Sequence, residues 1–450
     1  MTRVFAVRTL SAAVIAIAIS VVACGGDNTP TTSPTPGATA TVSPSTTSTA
    51  STLKTATATP PSRLPSDTPT APPSPTPSPT PVVTEVPGPS LDISSPSRII
   101  YTSARSIDGS TSGPLRIADL AGHSAPLSPD DVSASFVGLI GDPLTVPATV
   151  YYIAGATDDS AIIYRRQLPD GTAERIAHIS PWFSRTATGD LSPDGRYIAY
   201  TDQYGIEILD LQTQEFRLAA ASGGDKDKCN NPVPGQPGGL GACTAFNSPQ
   251  WSPNGKLLSV AKGYYEGGDH WVFDPFTPGS SPIPAGHCCG GQWSPTSDAV
   301  CSWGDYGGYT PLFVTRGPSW IEETHGQTSD DYQDPDRLQV EGCSWLDDHR
   351  VAVVVIPNTS YPTPPSSWTE IIDLTTDARI QIGAKSLGEQ CCGRTVYTVP
   401  DAGLVLAQYF ISNANSNTSE PTKPAAIDVA TGQAYSLLQP GDWIVTVVTP

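Results

Sequence analysis

The stretch Leu191-Ser-Pro-Asp-Gly-Arg-Tyr-Ile-Ala-Tyr200, followed by Ile206-Glu-Ile-Leu-Asp-Leu211 and Phe216-Arg-Leu218, decides the fold. Ser-Pro-Asp-Gly is turn chemistry: proline presets φ at one corner and glycine accepts positive φ at another. The apolar residues behind it come with period two or in short β-branched and aromatic runs, which is the pattern of strands. The phrase returns as Trp251-Ser-Pro-Asn-Gly-Lys-Leu-Leu-Ser-Val260 with Trp271-Val-Phe-Asp274. It returns again as Trp293-Ser-Pro-Thr-Ser-Asp-Ala-Val-Cys-Ser302 with Leu312-Phe-Val314.

Looser copies flank these three. Cys343–Val353 leads to Glu370–Leu374 and Arg379–Ile382, and Tyr397–Leu406 leads to Ala426–Val429 and Tyr435–Leu437. On the other side, Arg98–Tyr101 leads to Leu115–Leu120, and Val150–Ile153 leads to Ala161–Tyr164. The units recur every 40 to 60 residues or so, and a four-stranded unit at that period is the mark of a propeller blade. A middle strand often ends in aspartate before a turn: Asp119, Asp210, Asp274, Asp373 and Asp428. No long amphipathic helical pattern competes. The expectation is an all-β protein with a single β-propeller over residues 91–450. Seven blades are predicted, with six or eight as alternatives, because Phe136–Leu144 and Trp443–Val448 could belong to other blades. Trp443–Val448 is the candidate for a terminal strand that completes the first blade and hides the sheet edges.

The Trp-Ser-Pro-Asp-Gly turns resemble the TolB-like, WD-repeat-like propeller repeat. The resemblance covers most of residues 98–438, and is specific in three units and loose in four. TolB carries a small N-terminal domain; here a stalk stands in its place.

The N-terminus carries an address. Arg3 and Arg8 precede the apolar run Leu10–Val22, the layout of a secretory signal over residues 1–23. The run is short for a membrane span, which needs ~20 apolar residues. Val21-Val-Ala-Cys24 resembles the lipobox of bacterial lipoproteins, which implies lipidation of Cys24 as the mature N-terminus. Residues 24–90 then read as a disordered linker, since from Thr29 to Pro89 the chain is Thr, Pro, Ser and Ala with too few apolar groups to offset ordering entropy. As polyproline II, at ~3.1 Å per residue, about 60 such residues reach up to roughly 190 Å. The expected location is extracytoplasmic, exposed at the cell envelope, with membrane contact through the lipid anchor only.

Lys and Arg number 24 against 43 Asp and Glu, a formal charge of −19 that belongs to the globular part. This disfavours nucleic acid and anionic lipid as partners. Besides Cys24 the chain holds Cys229, Cys243, Cys288, Cys289, Cys301, Cys343, Cys391 and Cys392. An even set in an exported domain predicts disulfides. Cys229 and Cys243 bracket a Gly/Pro-rich loop and are expected to pair; closing about 15 residues is worth ~3 kcal/mol. Cys288-Cys289 and Cys391-Cys392 each precede glycine, and either form vicinal bridges or, with Cys301 and Cys343, link blades.

Chemistry-bearing motifs are few. His287 beside two thiols has zinc-ligand character, but oxidised thiols outside the cytoplasm would not serve. The acidic run Asp330, Asp331, Asp334 and Asp336 lacks calcium-loop spacing. No metal or cofactor is expected. There is no Gly-x-Ser-x-Gly elbow and no His-Glu-x-x-His, and no catalytic residue is assigned. Glu322/Glu323 and Asp347/Asp348 read as turns, and His123, His178, His270, His325 and His349 share no motif.

The aromatics are more telling. Tyr264, Tyr265, His270, Trp271, Trp303, Tyr306 and Tyr309, with His287, sit in a Gly-rich region where rings on loops can stack on sugars or anchor peptides. Loops 264–271, 286–293, 303–309 and 388–394 are the expected binding face. The predicted function is a binding or scaffolding module for an envelope protein or cell-surface glycan. An extracytoplasmic propeller enzyme (hydrolase, lyase or quinone-dependent dehydrogenase) is the alternative.

Overall fold

The computed structural model describes residues 95–102, 113–157, 160–180, 187–222, 245–264, 267–277, 280, 282–287, 291–303, 311–326, 338–357, 368–382, 395–408, 410–412, 419–421, 424–439 and 441–449. The signal segment, Cys24 and the linker lie outside them. The described residues form seven four-stranded antiparallel sheets and one two-stranded ribbon, Phe410–Ser412 with Ser419–Pro421. Among them the helical content is one 3₁₀ turn, Pro400–Ala402. This is a seven-bladed β-propeller.

Ala134–Ile140 is the innermost strand of blade 2 and Gly189–Leu191 that of blade 3. Ala245–Trp251, Gly291–Trp293, Leu338–Trp345 and Thr395–Val399 are the innermost strands of blades 4 to 7. Blade 1 is completed by the last strand of the chain. Trp443–Val448 pairs with Arg98–Thr102, from Arg98 opposite Val448 to Thr102 opposite Trp443. The ring is therefore sealed by hydrogen bonds between the two ends of the domain. The six- and eight-blade alternatives fall away, since Phe136 lies in blade 2 and Trp443–Val448 closes blade 1.

The repeated turn explains itself in hydrogen bonds. Ser192 Oγ donates to Asp194 Oδ1 at 2.6 Å and accepts the Tyr197 N–H at 2.8 Å. Ser252 repeats this with Asn254 Oδ1 and the Leu257 N–H, both at 2.9 Å. Ser294 does so with Asp298 Oδ1 at 2.9 Å and the Ala299 N–H at 3.0 Å. The fourth corner needs a left-handed residue, supplied by Gly195 at φ 70° and Gly255 at φ 69°. In the third copy Ser297 takes that position at φ 66°, and its Oγ accepts the Asn254 N–H of the preceding blade at 3.0 Å.

The aspartates closing third strands have one job. Asp210 Oδ1 accepts the N–H groups of Gln212 and Thr213, and Asp274 Oδ1 those of Phe276 and Thr277. Asp373 and Asp428 repeat the motif, and these backbone donors hold both carboxyls below the usual range. Such turns leave no backbone donor idle. Asp347 plays the same part in its turn, as expected, but Glu322 and Glu323 do not mark one. They lie exposed in the outermost strand Ile321–His325, because the chain turns earlier, at Gly317–Trp320.

Tryptophans staple neighbouring innermost strands. Trp251 Nε1 donates to the Asp190 carbonyl at 3.1 Å, Trp293 Nε1 to the Gln250 carbonyl at 3.1 Å, and Trp345 Nε1 to the Gln292 carbonyl at 2.9 Å. Each indole thus buries its ring in a seam and hands its one polar atom to the blade before it.

Every seam between blades holds one apolar cluster. Six of the seven contain nine or more buried residues. Among the described residues the seam between blades 4 and 5 holds four: Val272, Ala285, Trp293 and Val300. The next seam is reinforced covalently. Cys301 of blade 5 and Cys343 of blade 6 form a disulfide, with Cα atoms 6.4 Å apart.

Candidate binding face

Antiparallel blades sort their connections by end. In blades 2 to 7 the first-to-second and third-to-fourth turns lie at one end, here the turn end. The second-to-third and blade-to-blade connections lie at the other, the connection end. The turn end is built from the self-satisfied Ser-Pro and Asp turns described above.

The strand ends that flank most of the predicted segments lie at the connection end. Segments 223–244, 265–266, 288–290, 304–310 and 383–394 all join strands that finish there. They carry Cys229, Cys243, Tyr265, Cys288, Cys289, Tyr306, Tyr309, Cys391 and Cys392, whose positions lie outside the described residues. The acidic run at 330–336 also lies outside them. Tyr264 and His287 end the strands Leu258–Tyr264 and Ile283–His287 at this end, and their side chains too lie outside the description. Trp303 is half-buried and packs on the cluster between blades 5 and 6.

Two predicted residues are in a strand, not a loop. His270 and Trp271 belong to Gly267–Phe273, the third strand of blade 4. Trp271 packs toward blade 3, with Lys262 Nζ 4.5 Å from its ring centroid. His270 faces the other way and is 2 % exposed. Strand alternation sends neighbouring side chains to opposite seams.

His270 sits where the thin seam between blades 4 and 5 runs out of apolar residues. A Cβ on Gly291 would lie 2.5 Å from the His270 ring, and a Cβ on Gly286 would lie 2.2 Å from Ser302 Oγ. Glycines are therefore required at both positions for the blades to meet. Ser302 is fully buried and Thr315 is 1 % exposed. Both His270 ring nitrogens, Ser302 Oγ and Thr315 Oγ1 have no hydrogen-bond partner among the described residues. Burial pushes the His270 pKa down to about 4, so the ring is neutral near pH 7. Ser302 and Thr315 were not singled out by sequence, whereas Gly286 and Gly291 lie within the predicted loop 286–293. The legible signal was the crowd of glycines around Cys288-Cys289-Gly290.

The donor set is neutral: one imidazole and two hydroxyls. Among the described residues no three His, Cys, Asp or Glu side chains converge as metal ligands would. Among the described carboxylates, Asp190 on the innermost strand of blade 3 is the strongly perturbed one: it accepts the Trp251 N–H at 2.7 Å, and burial pushes its pKa up to about 7.

No family model and no curated protein sequence matches the chain. Solved structures do. A puromycin-hydrolyzing peptidase of Mycobacterium tuberculosis is similar at TM-score 0.51 and 12 % identity over 79 % of this chain, which spans 56 % of that one. TolB from Acinetobacter baumannii matches at TM-score 0.38 and 11 % identity, over 78 % of this chain and 83 % of TolB. A protein from Lactobacillus plantarum matches at TM-score 0.48 and 12 % identity, over 78 % of this chain and 98 % of that one. At such identities the likeness shows the propeller fold and no more.

Proposed function

We propose that the protein is a lipid-anchored recognition module whose connection end binds an envelope protein or a cell-surface glycan. The observation that supports this most is the division between the two ends. The Ser-Pro and Asp turns at the turn end spend their hydroxyls and carboxylates on their own backbone donors. The connection end gathers the aromatic and cysteine-bearing segments beside the thin, polar seam of blades 4 and 5. Tyrosine and tryptophan on the connecting segments are the residue types that stack on sugars or anchor peptides, whereas His270, Ser302 and Thr315 are buried within the seam.

The attachment of the linker agrees with this reading. Second strands start at the turn end, so residues 95–97, just before Arg98–Thr102, lie there. Their anchor is Asp401, whose carboxylate accepts Ser95 Oγ at 2.5 Å and Ser97 Oγ at 2.8 Å. A tether leaving the turn end presents the connection end to the outside.

The test is retention of a partner from envelope extract by the full-length oxidised protein, washed at high salt and read by mass spectrometry and sugar analysis. One dominant protein or glycan is expected, and Tyr306→Ala with Tyr309→Ala should release it. No retained partner, or equal retention by the double variant, would overturn the assignment of this face.

A further inference from the structure

The turn end has one feature that its satisfied turns do not explain. A groove of about 600 Å³ opens there between blades 6 and 7. Ile371, Ile380 and Ile382 of blade 6 and Pro400 and Val429 of blade 7 line it, with Arg350 also in the lining. Ile380, on the outermost strand Arg379–Ile382 of blade 6, is 61 % exposed and lines this groove. Such a surface calls for an occupant.

We propose that the occupant is the chain's own segment Val82–Ile93, which straps back into this groove before the propeller begins. Three observations point to it. The first is place: the domain starts at Ser95 and Ser97, hooked on Asp401, and Asp401 is the immediate neighbour of Pro400 in the groove lining. The second is composition. Between Thr29 and Pro81 the large aliphatics are Val42, Leu53 and Leu64; Val82, Val83, Val86, Leu91 and Ile93 then crowd into the stretch next to the propeller. The third is reach: at about 3.3 Å per residue, the dozen or so residues from Val82 to Ser95 extend up to roughly 40 Å, ample for a groove one residue from the anchor.

The chemistry matches as well. Pro87 and Pro89 favour extended polyproline II, which loses little entropy when laid in an apolar groove. Glu85 is the only glutamate in the first 90 residues; in the groove Arg350 is paired with Asp347 and Asp373 also lines it, so apolar contact rather than charge holds the segment. The strap would fix the direction in which the tether leaves the turn end, independently of what the opposite end binds.

Glu85 also supplies the assay. A glutamate-specific endoprotease cuts the linker only after Glu85, and the released N-terminal piece is read by mass. The full-length protein, disulfides intact, is compared with a synthetic peptide of residues 78–93. Cleavage at Glu85 should be about tenfold slower in the protein or more, a preference of about 1.4 kcal/mol for the docked state. Ile380→Asp should restore the peptide's rate, and its unfolding midpoint should stay unchanged because Ile380 is exposed. Val83→Ser with Val86→Ser, which leaves the propeller untouched, should do the same. Cleavage at the peptide's rate in the native protein would overturn the proposal, as would protection that survives Ile380→Asp. Protection that vanishes on dilution would also overturn it, since the occupant would then be a second copy.

Discussion

Acidifying the solution from pH 7 to pH 4 should loosen the seam between blades 4 and 5, and His270 sets how much. The ring is buried and unpartnered, so folding depresses its pKa from 6.5 to about 4. For a base this sign is clear. The neutral ring contributes stability fully above pH 6.5, and that stability is lost as pH falls through about 4. Each pH unit is worth 1.36 kcal/mol, so the interval from 6.5 to about 4 corresponds to roughly 3 kcal/mol. Asp190 works in the opposite direction. Its folded pKa is raised from 3.8 to about 7 by burial, so its contribution is present below pH 3.8 and lost as pH rises through about 7. Asp190 keeps part of its surface in solvent, which lowers its energetic weight.

The native protein's pH profile therefore mixes two opposed titrations, and the clean quantity is a difference. Urea unfolding of the native protein and of His270→Leu, from pH 7 to pH 4, isolates the histidine. Whatever gap separates them at pH 7 should move in favour of His270→Leu by about 3 kcal/mol by pH 4, or roughly 5 to 10 °C in a thermal melt. Parallel profiles would show that the ring meets water or a partner when protonated, and the dry, unpartnered seam would be wrong.

Gly291→Ala puts a methyl 2.5 Å from that same ring and should cost about 1 to 3 kcal/mol in urea unfolding, as overpacked cores do. Replacing Cys301 and Cys343 together with alanine removes a bridge spanning 42 residues of chain, worth about 4 kcal/mol in the loop-entropy account, and under reducing conditions the native protein and the double variant should melt together. Trp293→Phe keeps most of the ring but leaves the Gln250 carbonyl without its indole donor, for a loss of about 1 kcal/mol in the same assay.

The fold was legible because its punctuation is local. Ser192, Asp194 and Gly195 satisfy one another within a few residues, so the turn could be read without knowing what packs on it, and Asp210 and Asp428 gave the second turn of each blade in the same way. Ser297 shows the limit of that reading: it holds a left-handed corner without glycine because its hydroxyl is used by the next blade over. The candidate site was legible only as a neighbourhood. His270-Trp271 looked like part of a loop because glycines surround it, yet residues 267–273 run as a strand whose two faces serve different seams. That the ring would rest on Gly291, some twenty residues on, depends on how blade 5 docks, and no local pattern encodes it.

The thin seam is best understood against the other six. A propeller needs each blade to be held by both neighbours, and among the described residues apolar clusters of nine or more do that at six of the seven seams. Unpartnered buried polar atoms cost about 1 to 3 kcal/mol each, so His270, Ser302 and Thr315 make this seam weaker still. The ring tolerates it because the adjoining seam is cross-linked by Cys301–Cys343 and because Trp443–Val448 seals the circle opposite. A weak seam flanked by a covalent one localises any opening to a single place. That place is also where the connections rich in tyrosine, tryptophan and cysteine begin and end, so a ligand gripping those connections would act on the softest joint of the domain.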